Sequence, residues 1–319
     1  MAEAVEPIRI GISSCLLGQP VRFDGGHKRD AFLVDTFGAF VEWVPVCPEV
    51  ELGLGTPRES LRLVRKGQDV RMVNTRSGRD ISDAMRAWAR TRVEALAPEH
   101  LAGYVLKKDS PSCGMERVKV YAESGPADKS GRGLFAEALM ERFPRLPVEE
   151  EGRLSDPRLR ENFVERVFAY IRLRALFAAR WTIGDLVRFH TAHKMASLAH
   201  STTLYNEMGR LVAGAKSGDR AGVERRYREL FMDALGKIAT VRKHTNVLLH
   251  MAGHFKNVLD DDYRGELLSS IEDYRRELVP LVVPMTLVKH HVRVHRIAYL
   301  AGQIYLDPHP KELMLRNHV

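Results

Sequence analysis

In the first half of the chain, short apolar runs alternate with segments of helical spacing. Ile8–Ile12, Phe40–Val46, Leu101–Leu106 and Leu146–Glu150 read as strands. Asp30–Phe37, Ile81–Leu96 and Leu134–Phe143 carry helical spacing. In the second of these, Ala84, Met85, Trp88, Val93 and Leu96 form the expected buried face, with Asp80 or Ser82 as cap. Arg62–Arg65 and Val70–Asn74 flank Lys66-Gly67-Gln68-Asp69 and predict a hairpin. Strands alternating with helices imply an α/β fold, Rossmann-like, with a mainly parallel sheet.

Beyond residue 150 the pattern turns helical. Ser155-Asp156-Pro157 is a helix start, and the helix continues through Phe163, Val167, Tyr170, Ile171 and Phe177. It is expected as a connecting helix of the first domain, which gives domains 1–179 and 180–319. Thr182, with Asp185 three residues on, predicts the next N-cap. Helical spacing then covers Asp185–Ala199, running on toward Tyr205, Met208 and Leu211. It resumes in Arg220–Leu235, Thr240–His254, Tyr263–Leu278 and Pro284–Tyr305. The expectation is an all-α bundle of roughly five helices, with Leu306–Lys311 as an irregular arm.

Composition supports two domains of different chemistry. The 319 residues carry a net charge of +8, yet residues 1–150 balance 22 basic against 22 acidic side chains, so the excess lies in the second half. Eleven of 13 histidines are there too. An apolar content of 45% suits a globular protein, and no run approaches the ~20 apolar residues that span a bilayer. Met1–Pro7 has two glutamates and no basic residue, unlike a secretory or transit segment, so a cytoplasmic location is expected.

The candidate chemistry lies in three cysteines. Cys15, Cys47 and Cys113 each follow a predicted strand, beside Gly18, Pro48, Pro111 and Gly114. Sites in open α/β sheets form outside the carboxyl ends of strands, so the three thiols are placed to meet. Three cysteines without a secretion signal argue against a disulfide framework and for metal or redox chemistry. Zinc takes four protein ligands, or three plus water, and iron–sulfur clusters usually take four cysteines. The spacing alone does not choose between them. His27 is a possible fourth ligand, against the simpler reading of a surface loop histidine.

Four motifs then point further. Ser14-Cys15-Leu16-Leu17-Gly18 is followed by Val21-Arg22-Phe23-Asp24-Gly25. Cys47-Pro48-Glu49 comes next with Gly53 and Pro57-Arg58-Glu59, then Lys107 with Ser110-Pro111-Ser112-Cys113-Gly114. In this order they resemble the thiouracil desulfurase (TudS) family over roughly residues 8–155. The resemblance implies a [4Fe-4S] cluster held by Cys15, Cys47 and Cys113, with one iron open to the sulfur of a thiolated pyrimidine. It implies Glu49 and Ser110 as catalytic residues. Ser14 and Ser112 are candidates for hydrogen bonds to substrate or to cluster sulfur. The implied reaction is a non-redox conversion of C=S to C=O with release of sulfide. The alternative is an RNA-binding protein with a structural metal or cluster site, acting on thiouridine in tRNA.

The second half resembles the YbgA-like domain over roughly residues 181–319. The marks are His190-Thr191-Ala192-His193-Lys194, His250-Met251-Ala252-Gly253-His254-Phe255-Lys256 and Tyr305-Leu306-Asp307-Pro308-His309-Pro310. His190/His193, His250/His254 and His291/His295 have helical spacing and raise a metal reading, although no pair is a His-Glu-x-x-His. Arg220, Arg225, Arg226, Arg228, Lys237, Arg242, Lys243, Lys289, Arg293 and Arg296 recur on predicted helices. They are either a solvated face or a surface for RNA phosphates, and no RNA-binding signature motif accompanies them.

Overall fold

Alternating apolar runs in the first half build two sheets. The computed structural model describes residues 7–122, 126–178 and 180–318. Met1–Glu6, on which most of the expectation of no leader rests, lies outside the described residues. Among the described residues no helix is long and apolar enough to cross a membrane.

The first sheet holds β1 (Arg9–Ser13), β2 (Glu42–Val46), β5 (Gly103–Leu106) and β8 (Val148–Glu150) in the order β2-β1-β5-β8. Every pairing in it is parallel, with Ile10 opposite Trp43 and Gly103, and Tyr104 opposite Val148. Ile10, Ile12, Tyr104, Val105 and Leu106 are fully buried, which is why these runs read as apolar without alternation.

The second sheet holds β3 (Leu61–Lys66), β4 (Asp69–Asn74), β6 (Val118–Tyr121) and β7 (Asp128–Gly131) in the order β4-β3-β6-β7. The predicted hairpin is β3–β4, with Leu63 opposite Met72. β6 and β7 extend it, and neither is anticipated by the hydrophobic pattern. β7 reads Asp-Lys-Ser-Gly, and its first three residues are exposed. Leu63, Met72, Met85, Val118, Val120 and Leu134 form the core beside this sheet.

Between the strands lie α1 (Pro48–Glu51), α2 (Ser82–Leu96) and α3 (Leu134–Arg142). On α2 the buried face is Ser82, Met85, Ala89, Val93 and Leu96, so Ala84 is exposed where burial is expected. The N-cap position is Ile81, with no side-chain cap, where Asp80 or Ser82 is expected; Asp80, just before it, accepts from the Ser82 amide at 2.9 Å. The helical stretch near Asp30–Phe37 is a short irregular turn, Phe32–Thr36, of π type.

The chain divides into Met1–Ser155 and Asp156–Val319. The second unit opens with α4 (Pro157–Ala178), so this helix is not part of the first domain as expected. Its Ala169, Leu173 and Phe177 pack with Leu186, Tyr227, Phe231 and Leu235 in the helical core. Asp156 caps it, accepting from the Arg158 amide at 2.8 Å.

The remaining helices are α5 (Ile183–Ala192), α6 (Lys194–His200), α7 (Thr202–Ala213), α8 (Arg220–Leu235), α9 (Val241–Ala252), α10 (Asp261–Arg275), α11 (Val282–Val294) and α12 (Ala298–Ala301). The predicted capping box of Thr182 and Asp185 is present. Two long expected helices are broken. The run from Asp185 becomes α5, α6 and α7: α5 gives way to α6 at His193, and α6 ends before Ser201, which is extended (ψ 105°) with its hydroxyl accepting from the Leu204 amide at 3.3 Å. The run from Pro284 stops near His295, with Arg296 in the left-handed region (φ 51°).

Candidate active site

Three strand ends feed one cavity. After β1 the chain makes a tight turn, Ser14–Leu17, closed by Gly18 at φ 91°, a conformation that favours glycine. Cys15 sits in that turn and is buried. After β2, Cys47 is the N-cap of α1, whose first turn carries Glu49. After β5 the chain runs through Lys107–Asp109 into Ser110–Gly114. In the strand order β2-β1-β5, connections leave β1 in opposite directions, which opens a crevice at the carboxyl ends.

The N-terminal turn of α3 anchors the third loop. The Leu134 amide donates to Pro111 O at 3.2 Å and the Phe135 amide to Ser112 O at 3.0 Å, while Gly133 N donates to Gly114 O at 2.8 Å. A Cβ on Gly133 would lie 2.4 Å from the Ser112 carbonyl group, so only glycine lets the two backbones approach.

Cys15, Cys47 and Cys113 all line this cavity, of about 360 Å³, together with Ser14, Glu49 and Ser110. Ser112 does not; it is fully buried behind the wall. Its hydroxyl donates to Glu49 Oε1. Ser110 Oγ lies 3.1 Å from Ser112 Oγ and accepts from the amides of Ser112 (3.3 Å) and Cys113 (3.1 Å). Ser112 spends its hydrogen on the carboxylate, so the Ser110 hydroxyl is the donor between the two serines. Ser110 is thus both a cavity residue and the capping hydroxyl of its own turn. His27 is exposed and is not among the cavity residues; its Nδ1 accepts from the Arg29 amide at 3.2 Å.

Other lining residues carry charge that the cysteine pattern does not announce. Arg58 is nearly buried, with Nη2 3.7 Å from Glu49 Oε2. Lys107 Nζ pairs with Glu151, and Glu151 also accepts from the Lys108 amide at 2.8 Å. Arg22, Lys28 and Lys108 add positive charge and Glu59 and Asp109 negative, with Phe23 exposed among them. Arg58 and Lys107 stand inside the sequence motifs, but their partners are set by tertiary contacts.

The donor set can be tested against a metal-bearing group. None of the three thiols is in a disulfide. Burial pushes Cys15 up to about 11, with Lys107 pulling it down and Glu49 raising it. Burial and then Glu49 push Cys47 up to about 12 and Cys113 well above its usual range. Thiolates here need a positively charged sulfur-binding partner to be stable. Among the described residues no three His, Cys, Asp or Glu side chains stand close enough to hold one metal ion. Three thiols lining one cavity are a donor set that suits a thiophilic metal group.

His190 Nδ1 lies 3.2 Å from the Tyr227 hydroxyl, and His193 Nδ1 donates to Phe189 O at 2.9 Å. His250 and His254 are exposed, their ring centres 5.8 Å apart. Several expected RNA-facing cations are already engaged. Arg226 pairs with Glu207 and Glu229, Arg228 with Glu224, and Lys289 with Asp307. Lys243 Nζ donates to His200 O at 2.7 Å.

Residues 10–151 match the family model for 2-thiouracil desulfurase, and residues 194–310 match a model described as a protein of unknown function (DUF1722). The uncharacterized protein YbgA of Escherichia coli (strain K12) is 32% identical over 161 residues, covering 50% of this chain and 95% of that protein. The uncharacterized protein YbbK of Bacillus subtilis (strain 168) is 30% identical over 148 residues, covering 44% of this chain and 95% of that protein. A solved structure of the [4Fe-4S]-dependent thiouracil desulfidase TudS is 33% identical, over 46% of this chain and 93% of that one, with a TM-score of 0.38. Through its N-terminal unit the chain belongs to the 2-thiouracil desulfurase family, and it joins to that unit a YbgA-like helical one.

Proposed function

We propose that the N-terminal unit removes sulfur from a thiolated pyrimidine, with Cys15, Cys47 and Cys113 holding a [4Fe-4S] cluster. The observation that carries this is the meeting of the three thiols and Glu49 in one cavity, in a chain of the 2-thiouracil desulfurase family. The bound cluster would supply a thiophilic Lewis acid for the C=S sulfur.

The chain's own residues handle orientation and protons. Glu49 is mostly desolvated and faces the cavity, which suits a general base for water. It takes one proton as the water oxygen bonds to the ring carbon. The C–S bond then breaks, and both water protons leave with the sulfur as hydrogen sulfide. Carbon keeps its oxidation state, so no electrons are needed. Ser110 and Ser112 form a hydrogen-bonded line to Glu49 that holds the carboxylate and gives its proton a path to the cavity. Ser14 lies on the wall, placed to contact substrate. Arg22, Lys28 and Lys108 favour an electron-rich or anionic substrate at the mouth.

The test is anaerobic reconstitution of the full chain, followed by iron analysis and sulfide release. About four irons per chain are expected, with turnover of 2-thiouracil, a thiouridine nucleoside or thiouridine in tRNA. The three arms identify the substrate. Loaded protein that releases sulfide from none of them overturns the reading, as does a Cys113→Ala variant that keeps both iron and activity.

A further inference from the structure

The side chain of Arg58 is 9% exposed, yet it serves no core of its own. Its Nη1 donates to Val21 O at 2.9 Å, to Gly55 O at 3.0 Å and toward Thr56 Oγ1 at 3.4 Å. Its Nη2 lies 3.7 Å from Glu49 Oε2, and its backbone amide donates to Phe23 O at 2.9 Å. One residue therefore joins three pieces that are separate in sequence. These are the Val21–Phe23 segment, the turn before Arg58 itself, and the carboxylate on α1.

Two details make this more than scaffolding. The Val21 carbonyl that Arg58 grips also lies 3.8 Å from Cys47 Sγ, so the latch bears on one of the three thiols. The Glu49 carboxylate meets partners at both oxygens: Oε1 accepts from the Ser112 hydroxyl, and Oε2 accepts from the Cys47 thiol at 3.5 Å and forms an ion pair with Arg58 Nη2 at 3.7 Å. Two fixed oxygens define the plane and direction of a carboxylate, whereas one leaves it free to swing about its terminal torsion. Phe23, whose carbonyl accepts from the Arg58 amide, is 43% exposed and lines the same cavity.

We propose that Arg58 is a positioning residue of this site, latching the Val21–Phe23 segment over Cys47 and orienting Glu49 into the cavity. It acts through Glu49 and the loop without touching substrate. The inference rests on the reading of Glu49 as the general base. Lysine cannot take the place of Arg58. A single ammonium on a flexible stem does not reach two carbonyls and a carboxylate in the geometry of the planar fork.

The test compares wild type, Arg58→Lys and Arg58→Ala as full chains, with two readouts. The first uses metal-free, reduced protein and measures the rate of iodoacetamide labelling at each cysteine by mass spectrometry. Loss of the latch opens the segment over Cys47, so both variants should label there about tenfold faster. Cys113, 4% exposed and fixed by the α3 contacts, should label at the wild-type rate.

The second readout uses reconstituted protein, with kcat and KM expressed per bound cluster. Both variants should lose kcat about tenfold or more with KM near wild type, and Lys should give no rescue. A merely structural arginine would lower melting temperature and iron content while leaving kcat per cluster in place. Wild-type labelling at Cys47 in both variants overturns the latch, and so does an Arg58→Lys protein with wild-type kcat per cluster. If Arg58→Ala does not fold, Arg58→Lys decides. A wild type that releases no sulfide defeats the desulfuration reading but leaves the labelling result to judge the latch.

Discussion

The Ser112 hydroxyl, with no solvent exposure, donates to the carboxylate of Glu49, 63 residues away in sequence. The sequence suggests Ser112 as a substrate contact; the structure places it behind the cavity wall, holding the carboxylate. A hydrogen bond to a charged group in such a place contributes about 1.5–3 kcal/mol. Ser112→Ala should therefore lower kcat by roughly 10–100-fold while leaving iron content and KM near wild type. Steady-state kinetics on iron-quantified protein check this. A rise in KM alone would return Ser112 to substrate binding.

Gly133 predicts the opposite signature, a loss of site integrity before any loss of chemistry. A methyl group there meets the rigid backbone of Ser112 and Cys113 at 2.4 and 2.7 Å, with no flexible side chain to give way. Gly133→Ala should destabilise the first unit by about 1–3 kcal/mol, as overpacking does, and reduce iron uptake. Urea unfolding and iron analysis measure both, and an unchanged midpoint with full iron would contradict the close approach.

In the helical unit, His200 stands between two acceptors. Its Nδ1 lies 2.5 Å from Lys237 O and its Nε2 3.3 Å from Glu165 Oε2, so both nitrogens carry hydrogen and the ring is an imidazolium. Glu161, Glu165, His200 and Arg316 are all buried, and Arg316 pairs with Glu161 at 2.8 Å. With both carboxylates ionised, the four balance in charge while His200 is protonated. Burial is the largest single influence and opposes that charge, but the Glu165 carboxylate, the Lys237 carbonyl and Glu161 together outweigh it and raise His200 above its ordinary 6.5.

A raised folded value means stability fully present below about 6.5 and lost as pH climbs through the folded value. His200→Gln should thus lower the melting temperature more at about pH 6 than at about pH 9. Wild type alone would not show this cleanly. Burial lowers His193 and His309 to about 4 and His244 to about 3, and these withdraw stability as pH falls below 6.5. The comparison of variant with wild type cancels that acid limb. A gap that is constant or widens toward high pH would refute the charged His200.

What the sequence by itself determined was the strands of the parallel sheet, the β3–β4 hairpin and the edge where the chemistry lies. Buried parallel strands show as unbroken apolar runs, and such strands deliver whatever follows them to one edge. That is why Cys15, Cys47 and Cys113 were legible as convergent, and why Thr182 with Asp185 could be read as a cap. Only the tertiary structure decided the rest. β7 carries no apolar signal, because its first three residues are exposed and its Asp128 and Ser130 side chains make polar contacts with Arg65. Helical periodicity runs through Ser201 without showing the break, since the cap that makes it is a single hydroxyl. The directions of Ser112 and Arg58 are set by partners far away in sequence, Glu49 for one and Val21 with Glu49 for the other. Local pattern encodes which face of an element is buried, but the aim of a loop side chain depends on what the fold brings opposite it.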